Sequence, residues 1–245
     1  MSFINPFEPG FYKEKSILNV KDIIEWKRKN NLYNFDTLPK VAVISMVSQL
    51  SLPKRLINKK LKGLSGKHYV LNKKVLFSYE FGIGSPAIIA LLEELTALGV
   101  TKFLYIGYAG RLNTTINEAA CFIVNKAFSL CGTSFFYNNE SFISYSNSLS
   151  DKVKSELNLS EKIILSTDAP YRETLSVLDF YKRKKATLID METASILAFF
   201  KQNNTEVACV LIASDLIESS WIPPKNIKLL RKRAKNIVNQ FIAIL

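Results

Sequence analysis

Several runs in this chain are of strand length and apolar on both alternating faces: Lys40–Ser45 (KVAVIS), Lys102–Ile106, Lys162–Ser166, the run ending Leu188-Ile189-Asp190, and Glu206–Ala213. A strand with one face in water alternates polar and apolar residues, whereas a strand buried on both faces does not. Between these runs lie stretches of helical length: Ala87–Leu98, Leu175–Lys184, a helix from just after Asp190 to about Lys201, and Lys225–Ile244. Strands alternating with helices predict an α/β fold, with a central mixed, largely parallel sheet flanked by helices. The chain has 245 residues, the natural size of one such domain. With no linker or internal repeat, residues 1–245 are expected to form a single domain, with 1–38 as an N-terminal arm and a helix at Val20–Lys29.

The remaining stretches fill in the layout. Pro53–Leu61 reads as a short basic helix. His68–Leu71 and Lys74–Tyr79 read as strands joined by a turn at Asn72-Lys73. Ala120–Ala127 is a further strand and Cys131–Tyr137 a polar-aromatic loop. Residues 138–150 read as surface loop, and Ser150–Leu157 as a helix capped by Ser150. In the last helix Ile227, Leu230, Ala234, Ile237, Val238 and Phe241 recur at helical spacing, the pattern of a helix packed on a sheet rather than on a membrane.

Composition narrows the function. The net charge of +12 raises nucleic acid as a partner, but the lysines are spread along the chain and no aromatic-plus-basic motif accompanies them. No nucleic acid is expected. The single histidine, His68, has no Cys or His nearby, and the three cysteines lack ligand spacing, so no metal is expected. No run is long and apolar enough to span a membrane. The N-terminus lacks the basic start and apolar core of a signal peptide, and the odd cysteine count suits reduced thiols, so a cytoplasmic location is expected.

Four strand ends carry chemistry. Asp190-Met191-Glu192-Thr193-Ala194 places Glu192 in the first turn of a helix, where a carboxylate is favoured by the helix dipole. Plain capping by Asp190 explains the stretch equally well when it is taken alone. Gly82-Ile83-Gly84-Ser85-Pro86 is a glycine turn into a helix, with Ser85 as cap and Pro86 at the first helical position. Such a turn lets backbone approach a ligand, or simply joins a strand to a helix. Gly107-Tyr108-Ala109-Gly110 and Ser214-Asp215 close two further apolar strands. A dense polar loop, Ser166-Thr167-Asp168-Ala169-Pro170-Tyr171-Arg172-Glu173-Thr174, follows another.

In this order and spacing the stretches resemble the nucleoside phosphorylase family, which contains hexameric purine nucleoside phosphorylases, uridine phosphorylases and related nucleosidases. The resemblance covers roughly residues 40–243. It implies a sheet closing into a distorted barrel, and phosphorolysis of a (purine) nucleoside to free base and ribose 1-phosphate. No cofactor is implied beyond phosphate as co-substrate. Met191 and Glu192 resemble the ribose-binding pair; a carboxylate accepts two hydroxyl donors and a thioether packs on the sugar. Asp215 resembles the acid that assists the leaving base. Ala109, Gly110, Tyr171 and Arg172 fall where the family contacts the base, and Gly84, Ser85 and Tyr108 where it contacts phosphate. The family's arginine-bearing phosphate loop is absent from Ser45–Leu50, Tyr105 stands where an arginine is usual, and Tyr108 replaces a serine or threonine. Arg111 and Arg172 are the substitutes at hand. The alternatives are therefore a nucleosidase using water, or a catalytically impaired nucleoside-binding homologue. Family assembly implies a homodimer or homohexamer, with His68 a candidate for a residue lent across the interface.

Overall fold

The structure, a computed structural model, describes residues 16–47 and 57–245. Its strands are β1 (Val41–Ser45), β2 (Ile57–Leu61), β3 (Lys67–Leu71), β4 (Val75–Tyr79), β5 (Lys102–Arg111), β6 (Cys121–Leu130), β7 (Phe142–Ser144), β8 (Ser160–Thr167), β9 (Ala186–Asp190), β10 (Glu206–Ile217) and β11 (Trp221–Ile222). Its helices are α1 (Val20–Lys29), α2 (Ser85–Ala97), α3 (Gly132–Phe135), α4 (Ser148–Glu156), α5 (Leu175–Arg183), α6 (Thr193–Asn203) and α7 (Ile227–Ala243).

All the strands form one mixed sheet that closes on itself. β5, β10, β6, β8 and β9 pair in that order, and β9 returns to β5 through Gly110↔Ile189 and Arg111↔Leu188. From β5 the sheet continues through β1 and β4 to the β3–β2 edge. The α/β expectation and the barrel both hold. The uninterrupted apolar runs are buried on both faces, as β1 and β10 illustrate. One side packs on α2 and α6, whose Ile88, Leu92, Ile196 and Phe200 are inaccessible, and the other on α7 through Leu230, Ala234, Val238 and Phe241. Gly110 marks the closure: a Cβ there would lie 2.8 Å from Ile217 and 3.0 Å from Ile189, so only glycine lets the strands approach.

Several local expectations change. Residues 57–61 are an edge strand, not the end of a basic helix, and 53–56 lie outside the described residues. Asn-Lys-Lys suits either element locally; pairing with β3 decides, and exposed lysines are common on sheet edges. The polar-aromatic loop contains the short helix α3, and residues 138–150 contain β7, which pairs with β6. α4 starts earlier than the sequence suggests, because Asn147 is its cap and Ser150 closes a capping box from inside the first turn. The arm at 1–15 and the stretch from Ser48 to Leu50 lie outside the described residues.

Candidate active site

The carboxyl ends of β5, β8, β9 and β10 meet at a cleft of about 810 Å³. Tyr108 and Gly110 line it from β5, Tyr171 and Glu173 from the loop after β8, Asp190 and Met191 from the end of β9, and Ser214, Asp215 and Glu218 from β10 and beyond. Ligand sites at carboxyl strand ends are the rule in open α/β sheets.

Glu192 is the pivot of one end. It is only 5% exposed, and its Oε1 accepts the Gly84 N–H at 2.7 Å. Its Oε2 accepts the Met191 N–H at 3.3 Å and lies 3.5 Å from the Tyr105 hydroxyl. Burial first, and the neighbouring Asp190 second, push its carboxyl up to about 7 against these three donors. The amides of α6 do not hold it. The Thr193 N–H donates to Asp190 and the Ala194 N–H to Ser166, whose hydroxyl in turn donates to Asp190 at 2.5 Å. Asp190 is thus the structural cap, and Glu192 is turned away across the cleft floor toward α2.

That choice uses up the start of α2. Gly84 caps α2 at φ 84°, a conformation that favours glycine, and Ser85 is the first helical residue rather than the cap. The Ser85 hydroxyl, fully buried, donates to the Met191 carbonyl and accepts from Ser195, both at 2.8 Å. Neither Gly84 nor Ser85 lines the cleft. Tyr105 is buried beside Glu192, and burial raises its pKa. Tyr108 does line the cleft, and its buried hydroxyl has no partner among the described residues. Burial raises the Tyr108 phenol, and the charge of Arg231 on α7 opposes that rise.

At the other end β10 bulges between Ala213 and Leu216. Arg111 spans the bulge: its Nε donates to the Ser214 carbonyl at 3.1 Å and the Asp215 carbonyl at 3.4 Å, and its Nη1 to the Ile116 carbonyl at 3.0 Å. Arg111 is therefore committed to backbone and is no phosphate substitute. The bulge aims Asp215 into the cleft. Asp215 Oδ1 accepts from the Ser214 hydroxyl at 2.6 Å, and Oδ2 from the Trp221 indole N–H at 2.8 Å. Ser214 also donates to the Ala109 carbonyl at 3.1 Å, tying β5 to the bulge.

Of the residues singled out in the sequence, Met191, Asp215, Gly110, Tyr108 and Tyr171 share the cleft, Glu192 and Ala109 adjoin lining residues along the chain without lining it themselves, and Arg172 does not line it. Arg172 lies exposed on the turn Pro170–Arg172. His68 is fully buried, with Nδ1 at 2.9 Å from Ser78 Oγ and Nε2 at 2.7 Å from the Ser65 carbonyl, so it lends nothing across an interface. The sequence reading gave no role to Glu173, Glu218 or Trp221. Glu173 was visible in the polar loop, but only the barrel closure brings it opposite Asp215. Glu173 is pushed up to about 7 by burial and by the Asp215 charge. The lining contains the carboxyls of Glu173, Asp190, Asp215 and Glu218 and, among the described residues, no lysine, arginine or histidine. No group of His, Cys, Asp and Glu suited to a metal occurs among the described residues.

Residues 52–243 match the family model described as the phosphorylase superfamily. The chain is 24% identical over 135 residues to an uncharacterized protein of Acanthamoeba polyphaga mimivirus, a match covering 55% of this chain and 54% of that one. It thus spans about half the length of that relative. It is 25% identical over 170 residues to a guanosine phosphorylase of Halorubrum lacusprofundi, covering 66% of this chain and 70% of that one. Among solved structures, the 5'-methylthioadenosine/S-adenosyl homocysteine nucleosidase of Campylobacter jejuni matches with a TM-score of 0.68 at 20% identity, over 85% of this chain and 100% of that one. A futalosine hydrolase mutant of Helicobacter pylori matches with a TM-score of 0.66 at 18% identity, again over 85% and 100%. At these identities the likeness to solved structures is one of fold.

Proposed function

This chain belongs to the phosphorylase superfamily, and from that premise we propose that it cleaves the N-glycosidic bond of a purine nucleoside, with water as the acceptor. The observation that carries the reading is that one cleft is lined by Met191 at the end of β9 and by Asp215 on the β10 bulge, with the Glu192 carboxylate next to Met191. Glu192 accepts the ribose hydroxyls and Met191 packs on the sugar face. Asp215, held at both oxygens, faces the base, and Tyr171 stacks on it. Bond breaking runs ahead of bond making in such reactions, so C1′ becomes cation-like and a weak nucleophile suffices. Carboxylates around the sugar stabilise that charge.

The choice of water rests on the cleft's lining. Phosphate is a dianion that needs Arg, Lys or free backbone donors. Among the described residues the lining is acidic, the Gly84 N–H is taken by Glu192, and Arg111 is engaged by carbonyls. Phosphorolysis is the second reading, favoured by the unpartnered Tyr108 hydroxyl with Arg231 close enough to act on it. The test is base release from guanosine, inosine, adenosine and uridine in phosphate-free buffer. The reading requires release from at least one purine nucleoside and its loss in Asp215→Ala and Glu192→Ala. Nucleoside that raises the melting temperature while remaining intact would leave a binding protein instead.

A further inference from the structure

Asp215 and Glu173 line the same cleft and are placed very differently. Both Asp215 oxygens already accept a hydrogen bond, from Ser214 and from Trp221. Asp215 is thus committed as a hydrogen-bond acceptor, with a donor aimed at each of its oxygens. Glu173 is half-buried, lines the cleft, and takes no side-chain hydrogen bond from any described residue. Among the described residues the Glu218 carboxyl is likewise free of hydrogen bonds, but Glu173 is the one set close enough to Asp215 to feel its charge. The other titratable groups lining the cleft are Tyr108, Tyr171, Asp190 and Glu218, with Glu192 next to Met191. Asp190 is occupied by Ser166 and Thr193. Among the described residues no lysine or arginine lines the cleft to neutralise Glu173.

We propose that Glu173 is the catalytic acid of this site, delivering the proton to the leaving base while Asp215 orients that base as an acceptor. The proposal rests on the nucleoside-cleaving reading and deepens it. As the C1′–N bond breaks, its electron pair goes to the base, and the Glu173 proton moves to a ring nitrogen. The water oxygen bonds to C1′ and its released proton restores Glu173 through solvent. Two carboxyls in one acidic cleft cannot both ionise cheaply, so the unbonded one retains its proton near neutral pH.

The experiment compares guanosine with 7-methylguanosine at pH 6, in wild type and Glu173→Gln. The methylated base already carries positive charge and leaves without a proton, whereas guanine needs one. The proposal predicts that Glu173→Gln lowers kcat/KM for guanosine about 100-fold and for 7-methylguanosine by less than about threefold. It also predicts that wild-type kcat/KM for guanosine falls as pH rises above about 7, and that the variant lacks this limb. Equal losses on both substrates, or none on guanosine, would overturn the role of Glu173, as would a wild-type profile flat above pH 7. If the wild type releases base from no purine nucleoside, including inosine and adenosine, the nucleoside-cleaving reading falls and takes this inference with it; release from those but not from guanosine or 7-methylguanosine moves the same comparison to inosine and 7-methylinosine.

Discussion

Glu192 carries a pH signature of its own. Its folded pKa, about 7, lies above the ordinary 4.5, so between these values the folded chain binds more protons than the unfolded one. Stability contributed by the protonated form is full below about 4.5 and is lost as pH rises toward 7. Relative to Glu192→Gln, the wild type should therefore lose a few degrees of melting temperature between pH 5 and 7.5; parallel curves would refute the assignment. Trp221 lines the cleft and donates its indole N–H to Asp215. It is 65% exposed, so Trp221→Phe should leave the melting temperature within about 1 °C. Loss of the indole N–H from Oδ2 should lower kcat/KM about tenfold, the scale of a hydrogen bond to a charged group. A variant with unchanged kcat/KM would show that Asp215 needs no such support. The roles proposed for Met191, Glu192 and Asp215 come from the ordered set of stretches that resembles a family, since each alone reads equally well as a cap or strand end. Glu173 and Trp221 gave no such cue: their function lies in a neighbour on another strand, and no local pattern records that.

The β10 bulge is the element on which the site turns. Three carbonyls depend on the Arg111 guanidinium, two of them on the bulge itself. Arg111→Met should destabilise the fold by about 2 kcal/mol and reduce activity more than tenfold, read by denaturant melts and base release. Unchanged stability would mean that solvent replaces those bonds. The strands were legible because burial on both faces leaves an apolar run that no other element of that length explains. β2 was not, since an edge strand with three exposed residues shares its composition with a basic helix. The cap of α4 was misplaced by three residues for a similar reason: Asn147 and Ser150 are both good caps, and only the backbone distinguishes them. The start of α2 was legible as a glycine turn, but not that its amide and serine would face Glu192 and Met191 rather than a phosphate.

Across the whole molecule, a net charge of +12 surrounds a cleft lined by carboxyls. The contrast separates the chain's general basicity from the acidic lining of its cleft. Ile83, Tyr171 and Trp221 stand 72%, 99% and 65% exposed, large apolar side chains of the kind an interface covers. A homodimer or homohexamer is the proposed assembly. Light scattering of the purified protein should give a multiple of 27.8 kDa, and a monomer at micromolar concentration would contradict it. The sheet covered on both faces follows from apolar strands that have no open face to offer water, and the barrel is implied by the family resemblance. Its closure at Gly110 follows from neither, because a single glycine has many uses. The most direct test of the account is the identity of the sugar released from a purine nucleoside in the presence of millimolar phosphate. Water as acceptor predicts free ribose, in the same amount with and without phosphate. Ribose 1-phosphate, formed only when phosphate is present, would contradict it.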